Sequence, residues 1–271
     1  MTEQNAINQV LEPATAASLT TDLRALGVQV GLTLIVHSSL SKLGYVVSGA
    51  HSVIVALVAA IGESGTLVMP THSTELSDPA HWQNPPVPRE WWETIRQNMP
   101  AFDVHLTTTR SMGLIPETFR KQAGTLRSQH PKLSFAARGP HAEFITAKHA
   151  LTPSLGEQSP LARLYDLDGW VLLLGVGHGN NTSLHLAEAR AKLPRRSAVR
   201  EGSPMLVNGV RQWVEYEDVD WDEGDFERLG EDLARETKIE TVGRVAGATA
   251  RLMPQRALVN FGIQWLELNR R

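Results

Sequence analysis

Three apolar runs of strand length, Leu32–Val36, Thr66–Pro70 and Val171–Leu174, each stop abruptly at a loop of hydroxyl, amide, histidine or glycine residues. Apolar residues in near-unbroken succession, rather than alternating with polar ones, mark strands covered on both faces. Between the first two runs lies a helical segment, Ala50–Ile61, closed by Gly62. Strand, loop, helix, strand is a βαβ unit, and its loop falls where α/β proteins gather ligands. The third run leads through Gly175-Val176-Gly177-His178-Gly179-Asn180-Asn181 into a helix that Thr182 or Ser183 can cap. On that helix His185 and Glu188 lie three apart and share a face, with Cβ atoms about 5–6 Å apart. A histidine backed by a carboxylate just past a buried strand is a common way to present a general base. The same pair would serve equally as a solvated helix end.

Helices and strands alternate through the rest of the chain. After a loosely held start over residues 1–15, Ala16–Leu26 fits a helix with Leu19, Leu23 and Leu26 on one face and Gly27 at its end. A long segment after Thr71 breaks the rhythm; it is rich in proline and holds three of the seven tryptophans, Trp82, Trp91 and Trp92. It includes a helix-like stretch, Arg89–Asn98. Long irregular segments in compact domains are often functional, and the alternative is a surface flap packing its own indoles. Leu114–Lys121 reads as a helix whose amide-rich start suits an anion. Ser134–Arg138 follows as a strand, then His141–Ala150 and Pro160–Tyr165 as helices. Residues 196–219 read as a hairpin turned at Asn208-Gly209, the strongest short hairpin signal. A helix Asp225–Glu236, strands near Glu240–Val245 and Ala248–Met253, and a helix Pro254–Leu268 complete the chain. With no repeat and no clean linker, 1–271 is expected to be one α/β domain with an antiparallel β-rich C-terminal subregion.

Composition removes several classes of function. A chain of 271 residues can bury a sizeable core, and a net charge of −3 gives no electrostatic case for nucleic acid. The absence of cysteine excludes disulfides, thiolate metal ligands and a cysteine acyl-enzyme. Glu3 and its polar neighbours precede any apolar run, unlike a signal peptide, and the apolar runs fall short of the roughly 18 residues of a membrane span. A soluble cytoplasmic protein without a membrane partner is expected. Among the ten histidines no His-Glu-x-x-His spacing occurs; His72, Asp78 and His81 remain a candidate zinc set, although the expectation is no metal. His51, His141 and His149 read as helix residues that face solvent or cap backbone groups, and His105 and His130 flank loops. Neither a Walker loop, a dinucleotide fingerprint nor Gly-x-Ser-x-Gly is present, which leaves a serine hydrolase only a Ser38–His pairing across loops.

What remains is the set of strand-end loops: His37–Gly44, Thr71–Asp78 and Thr109–Gly113. If they converge, their hydroxyls and amides, with Lys42 and Arg110, suit a phosphate-bearing ligand with a long polar tail. Serine- and threonine-rich loops also satisfy their own turns.

Several of these segments together resemble the aminoglycoside 3-N-acetyltransferase family. They are Ile35-Val36-His37-Ser38-Ser39-Leu40-Ser41, Met69-Pro70-Thr71-His72-Ser73, Ser77-Asp78-Pro79-Ala80-His81-Trp82 and Arg110-Ser111-Met112-Gly113. Two more are Ser154-Leu155-Gly156-Glu157-Gln158-Ser159-Pro160-Leu161 and Asn181-Thr182-Ser183-Leu184-His185-Leu186-Ala187-Glu188. They follow the family's order and span the chain from about Leu23 to the last helix. The resemblance implies an α/β/α sandwich unlike the GNAT acetyltransferases, and acetyl-coenzyme A as donor. It places His37, Ser38, Ser39, Ser41, Thr71, Ser73, Arg110, Ser111, Met112 and Gly113 along the coenzyme A tail. His185 matches the family's catalytic histidine and Glu188 its neighbouring carboxylate; His178, Gly179 and Asn180 fall where the family varies. The chemistry implied is direct acetylation of an amine, the 3-amino group of an aminoglycoside, giving antibiotic resistance. His185 would take the proton, while Ser111 and the amides of Met112 and Gly113 serve the oxyanion. On this pairing alone, Glu188→Gln would cost less than loss of His185, because a neutral oriented imidazole survives.

The acceptor is the least determined part. Two acidic segments suit a polycation: the insertion after Thr71, with Glu75, Asp78, Glu93 and Asp103, and the run Glu215–Glu227, which includes Asp220 and Asp225. Aromatic residues alternate with acids in the second, although such a run also describes a solvated hairpin end. A metabolic amine is the alternative acceptor, and a coenzyme A-binding regulatory protein without turnover the alternative class. Oligomeric state is not written in the sequence.

Overall fold

In the computed structural model, which describes residues 3–8, 10–194 and 196–270, the pleat of each apolar run divides its side chains between two cores. Along β1 (Thr33–Ser38), Leu34 and Val36 enter one cluster and Ile35 the other. β2 (Thr66–Pro70) splits Leu67 and Met69 from Val68, and β5 (Trp170–Leu174) splits Leu172 and Leu174 from Val171 and Leu173. Successive strand side chains point to opposite faces, so an unbroken apolar run needs cover on both. One cover consists of α2 (Ala16–Leu26), α3 (Ala50–Ile61) and α5 (Leu114–Phe119). The other consists of α6 (Ala142–Thr146), α7 (Pro160–Asp166), α8 (Ser183–Arg190), α9 (Phe226–Glu236) and α10 (Gln255–Asn269). The result is the expected α/β/α sandwich.

The main sheet has seven strands in the order β3 (Leu126–Arg127), β4 (Phe135–Arg138), β2, β1, β5, β9 (Ala248–Pro254), β8 (Thr241–Val245). β1 pairs in parallel with both β2 and β5, while β4 and β9 run antiparallel outside them. The three parallel strands therefore end together, at Ser38, Pro70 and Leu174, on one edge of the sheet. The antiparallel C-terminal region divides in two. β6 (Ala198–Val207) and β7 (Val210–Val219) form a separate hairpin, and β8 and β9 join the main sheet. Asn208 and Gly209 both take left-handed backbone, φ 52 and 78, as a tight two-residue hairpin turn requires.

Three segments depart from the sequence expectation. The start of the chain forms a short helix, α1 (Glu3–Asn8), and Ala14 is buried in a parallel bridge with Val46, so the chain is held before α2 begins. The stretch Arg89–Asn98 is a 3₁₀ turn followed by α4 (Trp92–Asn98). Helix α6 stops at Thr146 rather than Ala150, because Lys148 adopts left-handed backbone (φ 49) and turns the chain inward. His149 consequently lies off the helix, with Nδ1 3.0 Å from Ser128 Oγ and Nε2 2.6 Å from the Ser154 carbonyl. It packs against His130, which is buried and accepts at Nδ1 from the Lys132 and Leu133 amides. Among the described residues no helix is long and apolar enough to cross a membrane.

Candidate functional site

Gly175 turns the chain out of β5 with φ 74; a Cβ there would lie 2.7 Å from the Lys42 Cβ, so the loops after β1 and β5 can cross only at glycine. The next anchor is His178. Its Nε2 lies 2.9 Å from Glu240 Oε1, and its ring fills the space at Gly230, where a Cβ would meet Cδ2 at 2.2 Å. Asn181 packs beside it and accepts at Oδ1 from the Ser183 amide at 3.3 Å. Asn181, not Thr182 or Ser183, thus satisfies the first turn of α8. That leaves the Thr182 hydroxyl 3.4 Å from His37 Nε2. His37 follows Ile35 by two positions on β1 and projects to the same face, the one α8 covers.

One turn into α8, His185 Nδ1 is 2.9 Å from Glu188 Oε2, with both residues buried. The other carboxylate oxygen, Oε1, accepts from Arg270 Nη1 at 2.6 Å and from the Asp222 amide at 3.2 Å. Phe226 and Trp221 wall the imidazole, with ring centres 4.9 and 5.6 Å away. An ionised carboxylate only accepts, so Nδ1 carries the proton and Nε2 the lone pair. Burial, and then the nearby His185, push His37 down to about 3. Burial also drives His72 well below the usual range, ahead of its histidine neighbours. The histidines around His185 are therefore neutral.

Two cavities meet here. The larger, about 520 Å³, is lined by His185, Trp221, Phe226, Asn180, Thr182 and Met112 among others. The smaller, about 90 Å³, lies between the strand ends and is lined by His37, Ser38, Ser111, Met112, Asn180 and Thr182. Met112, Asn180 and Thr182 belong to both, and the three strand-end loops do converge there. Ser111 takes left-handed backbone (φ 61) two residues before Gly113 (φ 84), folding that loop across the end of β2. The Ser38 hydroxyl is buried and, among the described residues, has no hydrogen-bond partner. Ser39 and Ser41 share a hydrogen bond of 3.2 Å and line neither cavity, and Arg110 donates to the Asn84 carbonyl from an exposed position.

Thr71 and Ser73 sit differently: both are fully buried and neither lines the smaller cavity. They belong to a network around Arg127, whose Nη2 donates to the Thr71 carbonyl (2.6 Å) and Ser73 Oγ (2.8 Å). Arg127 Nη1 donates to the Thr107 carbonyl at 2.5 Å and Nε to Ser134 Oγ at 3.0 Å. One buried guanidinium thus ties the loop after β2 to the loop carrying Arg110–Gly113. Nothing in the local sequence singles out Arg127, since most of its partners are carbonyls and a hydroxyl from segments far along the chain.

Of the six acids expected to face an acceptor, Asp220 lines the large cavity. Glu75 lines a separate hollow with Arg110 and Trp82. Asp78 is held by Arg96 at 2.7 Å and by the Ala80 amide at 2.9 Å, which also removes it from any zinc set with His72 and His81. Glu93 is exposed beside Gln97, and Asp103 caps its own turn through the His105 and Leu106 amides. Asp225 is committed to Arg270. The cavity instead contains Glu223 at its mouth and, in its wall, Glu201 paired with Lys132 and Asp218 bonded to the Ser154 amide and hydroxyl. Glu201 pairs with Tyr216 and Asp218 with Val199, two positions along, and only this hairpin register shows that the two acids share a face.

The aminoglycoside 3-N-acetyltransferase family model matches residues 35–267. The chain is 45% identical to the SPbeta prophage-derived aminoglycoside N(3')-acetyltransferase-like protein YokD of Bacillus subtilis (strain 168), over 93% of this chain and 92% of that one. The crystal structure of YokD superposes with a TM-score of 0.95, covering 98% of each chain. An AAC-IIIb structure solved as a binary complex with CoASH matches at TM-score 0.84 and 32% identity, covering 96% of this chain and 98% of that one. AAC-VIa bound to sisomicin matches at 0.85 and 31%, covering 96% and 99%. With the fold, the order of the loops and the sequence all in agreement, the chain belongs to the aminoglycoside 3-N-acetyltransferase family of acyltransferases.

Proposed function

We propose that this enzyme transfers the acetyl group of acetyl-coenzyme A directly to the 3-amino group of an aminoglycoside, and so confers resistance to it. The observation that carries the reading is the meeting, at Met112, Asn180 and Thr182, of a narrow hydroxyl-lined cavity and a wide acid-bearing one that His185 lines. On this reading the donor enters along His37, Ser38, Ser39, Ser41 and Ser111–Gly113, with Arg110 toward its phosphates. The buried, unpartnered Ser38 hydroxyl supports it, since such a group is costly unless a ligand supplies the missing partner. Thr71 and Ser73 act at one remove, by holding the loop through Arg127. His185 Nε2 takes the proton as the amine nitrogen attacks the thioester carbon. The C–N bond forms, the C–S bond breaks, and the coenzyme A sulfur leaves as the thiol, taking the proton that His185 received from the amine. Thr182, Ser111 and the Met112 and Gly113 amides are the donors for the oxyanion, each worth about 10²–10³-fold if well placed. Direct transfer needs neither a metal nor a protein nucleophile. The donor is a cytoplasmic metabolite, and the protein works there on small molecules rather than on nucleic acid or membrane.

The donor half is tested by thermal shift. Acetyl-coenzyme A at about 100 times its Kd should raise the melting temperature by roughly 5–10 °C. Ser38→Trp, filling the narrow cavity, should abolish the rise, and an undiminished rise would displace the donor from this channel.

The acceptor half is tested by thiol release against aminoglycosides and uncharged amines. Asp220 and Glu223, exposed at the cavity, should concentrate a polycation, an effect that salt weakens. An aminoglycoside KM should therefore rise with ionic strength and rise several-fold in Asp220→Asn. A second reading, acetylation of a less charged metabolic amine, is favoured by one observation: Lys132 sits in the cavity wall and offsets Glu201. Equal efficiency toward an uncharged amine, with KM indifferent to salt, would decide for it.

A further inference from the structure

Resting on the acetyl-transfer reading, we propose that Arg270 is a positioning residue of the His185 base, holding the Glu188 carboxylate ionised and oriented so that His185 keeps its lone pair on Nε2. Arg270 follows the last turn of α10, far in sequence from α8. Its guanidinium is held on three sides. Nη1 donates to Glu188 Oε1 at 2.6 Å, Nε donates to Asp225 Oδ2 at 2.8 Å, and Nη2 donates to the Asp222 carbonyl at 2.6 Å. Nη2 also reaches Asp225 Oδ1, which makes that pair bidentate and fixes the plane of the fork. Phe226 lies between the two functional groups, its ring centre 5.8 Å from the guanidinium carbon and 4.9 Å from the His185 ring.

Hydrogen bonds therefore connect an acid, Asp225, to the cation Arg270, then to a second acid, Glu188, and finally to the His185 imidazole. A buried carboxylate alone beside an imidazole draws a proton onto it, and an imidazole already protonated cannot serve as a base. A buried cation on the far oxygen opposes that field and secures Glu188 as an acceptor. Against the desolvation of burial, the Asp225 hydrogen bond and the Glu188 charge raise the Arg270 pKa, so the cation is permanent. The other charged and titratable groups around His185 sit on separate elements. His37 and His72 come from the strand ends, Lys132, Glu201 and Asp218 from the cavity wall, and Asp220 and Glu223 from its mouth. Arg196 binds carbonyls at the C-terminal end of α8, and the Asp222 carboxylate lies 3.8 Å from Arg270 Nη2. Removing Arg270 leaves all of these in place except its own partners.

The sign follows. Without the cation, Glu188 holds the proton on His185 more tightly, so the acid limb of kcat/KM moves to higher pH. Two readouts test this: the pH profile of thiol release, and the titration of the His185 ring followed by carbon-13 NMR and identified by its absence in His185→Gln. Arg270→Met and Arg270→Gln should each raise both midpoints by about one pH unit. Arg270→Lys, which restores charge without the fork, should recover more than half of that shift. Should the methionine variant fail to fold, the glutamine variant carries the comparison. If His185 titrates at the same pH in wild type and in the uncharged variants, the proposal is overturned, whatever happens to activity or melting temperature. If wild type releases no thiol at any pH, the acetyl-transfer reading falls instead, and the ring titration alone decides the role of Arg270.

Discussion

His185→Ala is expected to lower kcat by about 10²–10⁴-fold while leaving the affinity for coenzyme A within a few-fold of wild type. The imidazole lines the wide cavity and does not line the narrow one, so its loss removes the proton acceptor without touching the donor channel. Glu188→Gln, which looked mild from the sequence, should be nearly as severe. Both carboxylate oxygens accept: Oε2 from His185, and Oε1 from Arg270 and the Asp222 amide. A glutamine has one accepting oxygen and one donating NH₂. If its oxygen stays with Arg270, its NH₂ faces His185 Nδ1 and forces the proton onto Nε2, the atom that must accept. If it flips, its NH₂ opposes the guanidinium. Either orientation should bring activity to within about tenfold of the His185→Ala level. Full activity in His185→Ala, with the fold and substrate saturation controlled, would remove His185 from the mechanism.

Acid should unfold this protein sooner than its carboxylates alone would predict. Burial is the first cause of depression for each of four histidines: it takes His37 to about 3, His130 to about 4 and His149 to about 3, and drives His72 down as well. In the unfolded chain each titrates near 6.5. As pH falls below 6.5 the unfolded state takes up protons that the native state refuses, so stability present above that pH is lost progressively toward the native values. Three such groups cost about 5 kcal/mol between pH 7 and pH 5, comparable with the whole stability of many domains. Carboxylates with lowered pKa, such as Glu157 and Glu240, enter only at lower pH, and Glu75, raised by burial, works in the opposite sense. Urea unfolding at pH 7, 6 and 5 measures the fall, and His149→Gln, removing one of the four histidines, should flatten it by roughly a quarter. Equal stability at pH 7 and pH 5 would mean that these imidazoles are not held neutral.

The parts of this architecture that could be read in advance are those whose cause is local. Apolar runs that stop at polar or glycine loops gave β1, β2 and β5, because a strand covered on both faces leaves no polar position to blur its pattern, and Gly62 closed α3. Asn208-Gly209 announced the hairpin, since both residues tolerate the left-handed backbone its turn demands. His185 and Glu188 were paired by helix periodicity, and they are in contact. What escaped was non-local. Arg127 organises the donor loops through carbonyls from several segments, and Arg270 reaches Glu188 only because α10 lies against α8. The acids failed for the same reason. Asp78 and Asp225 look free in the chain, yet arginines from other elements claim them, whereas Glu201 and Asp218 are turned inward by strand register.

The position of β9 bears on when the enzyme comes into existence. During synthesis β1, β2 and β5 leave the ribosome in order, but the open edge of β5 finds its partner only when Ala248–Pro254 appears. Until then a fully apolar strand keeps a row of unpaired backbone groups, a template for pairing with other chains. The helix that follows β9 brings in the arginine beside Glu188. Completion of the central sheet and assembly of the base thus both wait for chain made well after β5. A chain that stops short of β9 should be both inactive and prone to aggregate, and a demand for chaperones should be concentrated between the synthesis of β5 and that of β9.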